Sequence, residues 1–189
     1  MSTGAVIAIA VAAVLVGIAA GYWLPPHGRT RGRDKSPAVK RILLPFTGPE
    51  ISRRAFEAAI RLAKAENATL MPAVLATVPR TLPLDAPLPA QCTYAMPLLE
   101  AIEQRAEAQG VPVDARVAQG RTYRDALRRL LDEEPFDRIV VSATNGRENG
   151  LDADDLEWML ERVPAEVLIL RPAPDDTRRI SADGVAGYF

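Results

Sequence analysis

Few residues of this 189-residue chain have side chains that could carry out catalysis. Its one cysteine, Cys92, has no histidine within the predicted domain to activate it, because the one histidine, His27, lies outside that domain. The sequence also lacks a Gly-x-Ser-x-Gly elbow, a complete P-loop and a Gly-x-Gly-x-x-Gly after a strand. A Ser-His-Asp triad, a histidine metal site and an internal disulfide are excluded. We therefore expect no catalytic residue, no metal and no enzyme activity.

The composition indicates a globular domain without a nucleic-acid partner. The chain is 48% hydrophobic, which is sufficient for one domain of ordinary size. Its 23 Lys and Arg residues are balanced by 24 Asp and Glu, so no basic surface is indicated. Aromatic residues make up only 5% of the chain, which argues against a surface that stacks on bases.

The N-terminal segment Gly4–Leu24 has no charged side chain over 21 residues. A helix of this length extends about 31 Å, enough to cross the hydrocarbon core of a bilayer, so we expect an uncleaved transmembrane anchor over residues 1–24. A cleaved signal peptide is the alternative, but no basic residue precedes the apolar run. Residues 25–39 are predicted to be a basic juxtamembrane linker, with Arg29–Arg41 contacting anionic lipid. This charge asymmetry predicts a single-pass cell-membrane protein with its N-terminus outside and its C-terminal domain in the cytoplasm.

From residue 40 onward, apolar runs alternate with helical spacing. The predicted strands cover residues 42–44, 68–76, 111–117, 139–141 and 167–170. The predicted helices cover residues around 56–63, 98–106, 123–131 and 152–163. This alternation predicts an α/β domain over residues 40–172, with a parallel sheet covered on both faces. The residues that follow, 173–189, are predicted to be a disordered tail.

Prolines complicate this prediction. Pro45 is expected to mark the end of its strand, Pro112 to lie on an edge strand, and Pro72 to require a bulge, because proline removes a backbone donor. The proline-rich connection over residues 77–92 is either a functional lid or a mobile segment, and the sequence leaves both alternatives open.

Three stretches carry a resemblance to a known family: KRILLPFTGPEISRRAFEAAIRLAKAENATL, AQGRTYRDALRRLLDEEPFDRIVVSATNGRENGL and ERVPAEVLILRP. Through them, Lys40–Pro172 resembles the universal stress protein (UspA-like) family. The resemblance implies a Rossmann-like, flavodoxin-type, doubly wound fold. Its five-stranded parallel sheet would have the order 3-2-1-4-5 and would here be preceded by one transmembrane helix.

The resemblance also implies a nucleotide site, which this sequence matches only in part. Nucleotide-binding members end the first strand in an acidic residue, where this chain has Thr47; Thr47 could equally cap the first helix through a Thr47–Glu50 capping box. The family's phosphate loop, G-x2-G-x9-G-[S/T], corresponds to Ala143, Thr144, Gly146 and Arg147, of which only Gly146 matches a family glycine. The carboxylates that follow would repel phosphate and instead suit a helix start: Asp152, Asp154, Asp155 and Glu157. We expect a degenerate site that requires no cofactor, with ATP as the ligand if any is retained.

The last strand is predicted to lie at an edge of the sheet with its backbone groups unpaired. Its residues are Val167, Leu168, Ile169 and Leu170. The resemblance implies a homodimer that pairs through this strand, and the alternative is that the C-terminal tail covers it. The function that we predict is a membrane-anchored cytoplasmic module that regulates or scaffolds an unidentified protein partner. The alternatives are an adenine-nucleotide-binding stress sensor and an accessory subunit of a membrane transporter.

Overall fold

The computed structural model describes residues 40–143, 151–171 and 179–181. All of them belong to one compact unit, which begins at Val39. The predicted anchor at Gly4–Leu24 and the predicted linker over 25–39 lie outside the described residues.

The described part of the chain contains seven strands and four helices. The strands are β1 (Arg41–Phe46), β2 (Glu50–Ser52), β3 (Thr69–Thr77), β4 (Arg116–Gly120), β5 (Arg138–Ser142), β6 (Glu166–Leu170) and β7 (Arg179–Ser181). The helices are α1 (Arg53–Glu66), α2 (Pro89–Glu107), α3 (Tyr123–Glu133) and α4 (Ala153–Arg162). Each predicted strand and helix is present with shifted ends, whereas β2 and β7 were not predicted.

The main sheet is parallel and has the strand order β4-β3-β1-β5-β6. In these labels the order differs from the predicted 3-2-1-4-5, because the unpredicted β2 takes a number. Counted within this sheet alone, its strands are the third, second, first, fourth and fifth along the chain. The strands β2 and β7 form a separate antiparallel pair. Residues 179–181, which were predicted to belong to a disordered tail, are therefore ordered, since Ile180 is buried against the domain.

Two buried clusters lie on the two faces of the sheet. The helices α1 and α2 cover one face and α3 and α4 cover the other. Helix α3 begins as predicted, because the Thr122 Oγ1 accepts a hydrogen bond from the Asp125 backbone N–H at 3.1 Å. The predicted capping of α1 by Thr47 is wrong. The chain first forms β2, and the Ser52 Oγ accepts from the Ala55 N–H at 3.4 Å instead.

No helix within residues 40–143, 151–171 and 179–181 is long and apolar enough to cross a bilayer. The longest described helix, α2, has 19 residues but carries charged side chains, among them Glu100, Glu103 and Arg105. The predicted location in a cell membrane is corrected on this finding, and Gly4–Leu24, on which that prediction rested, lies outside the residues searched.

The bulge predicted at Pro72 is absent, because β1 and β3 pair without interruption from Arg41–Thr69 to Phe46–Val74. The Pro72 nitrogen faces β4, since Leu70, two residues earlier, hydrogen bonds on that side: its N–H donates to the Pro112 oxygen at 2.9 Å. Regular pairing between β3 and β4 begins only at Ala73 and Arg116. The missing proline donor therefore falls in a gap in the ladder, where no hydrogen bond is lost.

The proline-rich connection after β3 is fastened at several points. The Gln91 side chain bonds both backbone groups of Thr77: its Oε1 accepts from the N–H at 3.2 Å and its Nε2 donates to the oxygen at 2.8 Å. The Arg121 guanidinium donates to the oxygens of Val78 and Pro79. Val78 and Leu88 are also buried, so this connection packs against the domain.

Candidate functional site

The strands β1 and β5 separate toward their carboxyl ends. Their paired residues are Ile42–Arg138 and Leu43–Ile139. Odd-numbered residues of β1 direct their backbone groups toward β5, because the Arg41 oxygen accepts from the Asp137 N–H at 3.0 Å. Pro45 lies on this same side and has no N–H to donate, so the pairing ends before it. The result is a crevice at the point where the chain's connections diverge to the two sides of the sheet, which is where open α/β folds bind ligands.

Two hydroxyl groups lie at the carboxyl ends of these two strands. Thr47, directly after β1, is only 2% exposed, and Ser142 ends β5. The Oγ1 of Thr47 and the Oγ of Ser142 are both buried and have no hydrogen-bond partner among the described residues. A buried hydroxyl without a partner costs about 1–3 kcal/mol, so these two groups are retained at the expense of stability.

The phosphate-loop residues are described only in part. The Ala143 N–H donates to the Leu170 oxygen at 2.9 Å, and Ala143 forms an isolated parallel bridge with Leu151. Ala143 is therefore held by the sheet next to Ser142. The other predicted residues of this loop, Thr144, Gly146 and Arg147, lie outside the described residues.

Apolar side chains of the chain itself fill the crevice. Ile51 of β2 is 3% exposed and Leu151 is 2% exposed, and both line the cavity at this position. The cavity that remains between the end of β1, Ile51, Ser142 and Leu151 measures about 20 Å³. A cavity of this size holds about one water molecule, whereas pockets for small ligands measure about 300–1,000 Å³.

The N-terminus of α4 is capped by its own carboxylates. The Asp152 Oδ1 accepts from the Asp155 N–H at 2.9 Å, and Asp154 and Asp155 lie in the first turn. The Asp155 carboxylate is partly neutralised by Arg124 of α3, whose Nε is 3.2 Å from the Asp155 Oδ1. This ion pair was not predicted, because the two residues belong to different helices. A phosphate group at this helix end would have to displace the Asp152 cap. No group of three or more His, Cys, Asp or Glu in the described ranges could hold a metal ion.

The edge strand β6 is the most exposed strand of the sheet, and it contains the predicted residues Val167, Leu168, Ile169 and Leu170. Every residue of β6 is at least partly exposed. Leu168 is 42% exposed, and Leu160 of the neighbouring helix α4 is 64% exposed. Glu166 is fixed by an ion pair with the Arg138 Nε at 2.9 Å. Within the described part of the chain, the outer side of β6 therefore presents backbone groups without a strand partner together with apolar side chains.

Ser142 and Ile51, which line the crevice, and Ile180, which pairs with Ile51, were not predicted. The signal for the two isoleucines is an apolar residue between polar neighbours, Glu-Ile-Ser and Arg-Ile-Ser. Three residues are too few to establish a strand periodicity, so only the fold brings these segments together.

The sheet order and the crevice define a Rossmann-like α/β domain. The model of the universal stress protein family matches residues 38–171, and the chain belongs to this family. No curated protein matches the chain.

Solved structures of the family share the fold. Universal stress protein UspA from Lactobacillus plantarum is 16% identical with a TM-score of 0.56, covering 70% of this chain and 98% of that one. A universal stress protein solved in complex with cAMP is 23% identical with a TM-score of 0.53, covering 71% and 98%. A family protein from Arabidopsis thaliana solved with AMP bound is 14% identical with a TM-score of 0.51, covering 74% and 96%.

Proposed function

We propose that this universal stress protein domain regulates or scaffolds a partner through protein contact, has no enzyme activity, and retains only a degenerate site for adenine nucleotides. The observation that carries the proposal is the filled crevice. Where an α/β fold of this order would hold a ligand, the cavity measures about 20 Å³.

The residues around the crevice support weak nucleotide binding. Thr47 cannot offer a carboxylate to a ribose or a metal, and with 2% exposure it lies beneath the surface. The Asp152 cap occupies the N–H group of Asp155 at the start of α4. Placing a phosphate there would cost this hydrogen bond and would add repulsion from the carboxylates of the first turn. We expect dissociation constants in the millimolar range or weaker.

The β6 edge supports a function through protein contact. A second copy of β6 could pair with its free edge, satisfy its backbone groups and cover Leu168 and Leu160, which are 42% and 64% exposed. Residues 166–170 carry one charged side chain, Glu166, at the beginning of the strand. The rest of the strand has no charge that would oppose pairing with a second copy. A homodimer through β6 is therefore the assembly that we propose.

Calorimetric titration of the full chain with AMP, cAMP and ATP, each with and without Mg²⁺, tests the proposed function. We expect no heat of binding at micromolar nucleotide concentrations. Micromolar binding of any of the three would contradict the degenerate site and would favour the second candidate, a nucleotide-binding stress sensor.

This second candidate has one observation in its favour. The hydroxyls of Thr47 and Ser142 have no partner among the described residues, and they could donate to or accept from a ligand at the crevice. Adenine nucleotides are the ligand class to test, because relatives of the same fold have been solved with AMP, dAMP or cAMP.

A further inference from the structure

The strand β7 is an addition to the family domain. The family match ends at residue 171, and β7 covers Arg179–Ser181. The pairing of β7 with β2 thus comes from outside the part of the chain that matches the family.

The contact is centred on one buried side chain. β7 pairs with β2 in the register Glu50–Ser181, Ile51–Ile180 and Ser52–Arg179. Ile180 is 6% exposed and belongs to the same buried cluster as Phe46 and Ile51. In β7, Arg179 is exposed and Ser181 is partly exposed. Ile180 is therefore the side chain that anchors β7 to the domain.

The construction of this contact makes it reversible. An antiparallel pair of three residues on each strand is marginal by itself, so β2 and β7 depend on each other and on Ile180. Gly48, with a φ of 78°, lies in the short connection between β1 and β2, where it allows the chain to turn sharply. When β7 leaves, β2 loses its strand partner and Ile51 loses the side chain that faces it. Because Ile51 lines the cavity with Ser142, a displaced β2 would open the crevice.

We propose that Arg179–Ser181, here called the strap, holds β2 across the crevice and so opposes the binding of an adenine nucleotide there. The inference rests on the proposed function, because it assigns the low nucleotide affinity to the strap. The apparent affinity decreases as the fraction of open molecules decreases. A strap closed in about 90% of molecules therefore weakens binding about tenfold, and one closed in about 99% weakens it about a hundredfold.

Two variants of the full chain test the strap by calorimetric titration with AMP. Ile180→Asp places a charge where the anchor is buried, and a chain ended at Arg171 lacks the strap altogether. We expect both to bind AMP at least tenfold more tightly than the unaltered chain. The matched control, Ile180→Val, keeps an apolar anchor and should leave the affinity within about twofold. Unchanged affinity in both variants, with native circular dichroism, overturns the strap.

A second measurement reports on the crevice without any ligand. In a Cys92→Ser background, Ser142→Cys places a single thiol at the crevice, and its rate of labelling by iodoacetamide measures access. Adding Ile180→Asp should accelerate labelling at least tenfold, and Ile180→Val should not. An unchanged rate overturns the strap even if Ile180→Asp is destabilised. Failure of the proposed function has a different signature, which is micromolar AMP binding by the unaltered chain.

Discussion

Replacing Thr47 by valine should stabilise the protein. The Thr47 side chain is 2% exposed and its Oγ1 has no hydrogen-bond partner among the described residues. Valine has nearly the same shape but no hydroxyl, so the substitution removes a buried polar group without creating a cavity. Since an unpaired buried hydroxyl costs about 1–3 kcal/mol, we expect the free energy of unfolding to rise by about 1 kcal/mol.

The same substitution at Thr122 is the matched control. The Thr122 Oγ1 accepts from the Asp125 N–H at 3.1 Å and caps α3. Valine cannot accept this bond, so Thr122→Val should lower the free energy of unfolding by about 1 kcal/mol. The same substitution should thus raise the free energy of unfolding at Thr47 and lower it at Thr122, because, of the two hydroxyls, only that of Thr122 has a hydrogen-bond partner among the described residues.

Urea unfolding of the full chain, followed by circular dichroism, measures both effects. The difference between the two variants should be about 2 kcal/mol, with similar slopes in urea. If Thr47→Val lowers the free energy of unfolding by as much as Thr122→Val does, the Thr47 hydroxyl has a partner, and it is not available to a ligand at the crevice.

Three further predictions concern packing, pH and assembly. A Cβ on Gly120 would lie 2.6 Å from an α3 backbone carbon, so Gly120→Ala should cost about 3 kcal/mol in urea unfolding, against about 1 kcal/mol for Gly110→Ala, where only the φ of 74° is unfavourable. A backbone N–H hydrogen bond from Arg121 and nearby arginines lower the pKa of Asp125, so its contribution to stability is present above pH about 4 and lost as the pH falls further; the stability difference from Asp125→Asn should shrink between pH 7 and pH 3. Ile169→Lys should convert a homodimer to a monomer in sedimentation at tens of micromolar, and a dimer that persists in this variant would place the interface elsewhere.

The sequence predicted the main sheet because apolar runs and one alternating segment, over residues 111–117, are interleaved with helical spacing, which is typical of a parallel α/β sheet. It did not predict β2 and β7, because each has only one apolar residue, Ile51 or Ile180, and the two residues pair only when the fold brings them together. The N-cap of α1 was misassigned for a related reason. Thr47 and Ser52 are both favourable capping residues, and only the path of β2 decides between them.

The position of the site could also be predicted, since the carboxyl ends of β1 and β5 follow from the strand order. Whether the site is open could not. That property depends on the burial of Ile51 and Leu151, which come from two separate segments of the chain. The pairing of Arg124 with Asp155 escaped prediction in the same way, because the two residues belong to different helices.

The pairing of β2 with β7 also fixes an order of events during synthesis. Ile51 is synthesised about 130 residues before Ile180, with which it pairs. At a translation rate of about 5–20 residues per second, this delay lasts about 6–26 s. The last strand of the main sheet, β6, ends at Leu170 and β7 begins nine residues later, so at this rate the complete sheet precedes β7 by only about 0.5–2 s. A small molecule present in the cell at that time meets the protein before the strap exists.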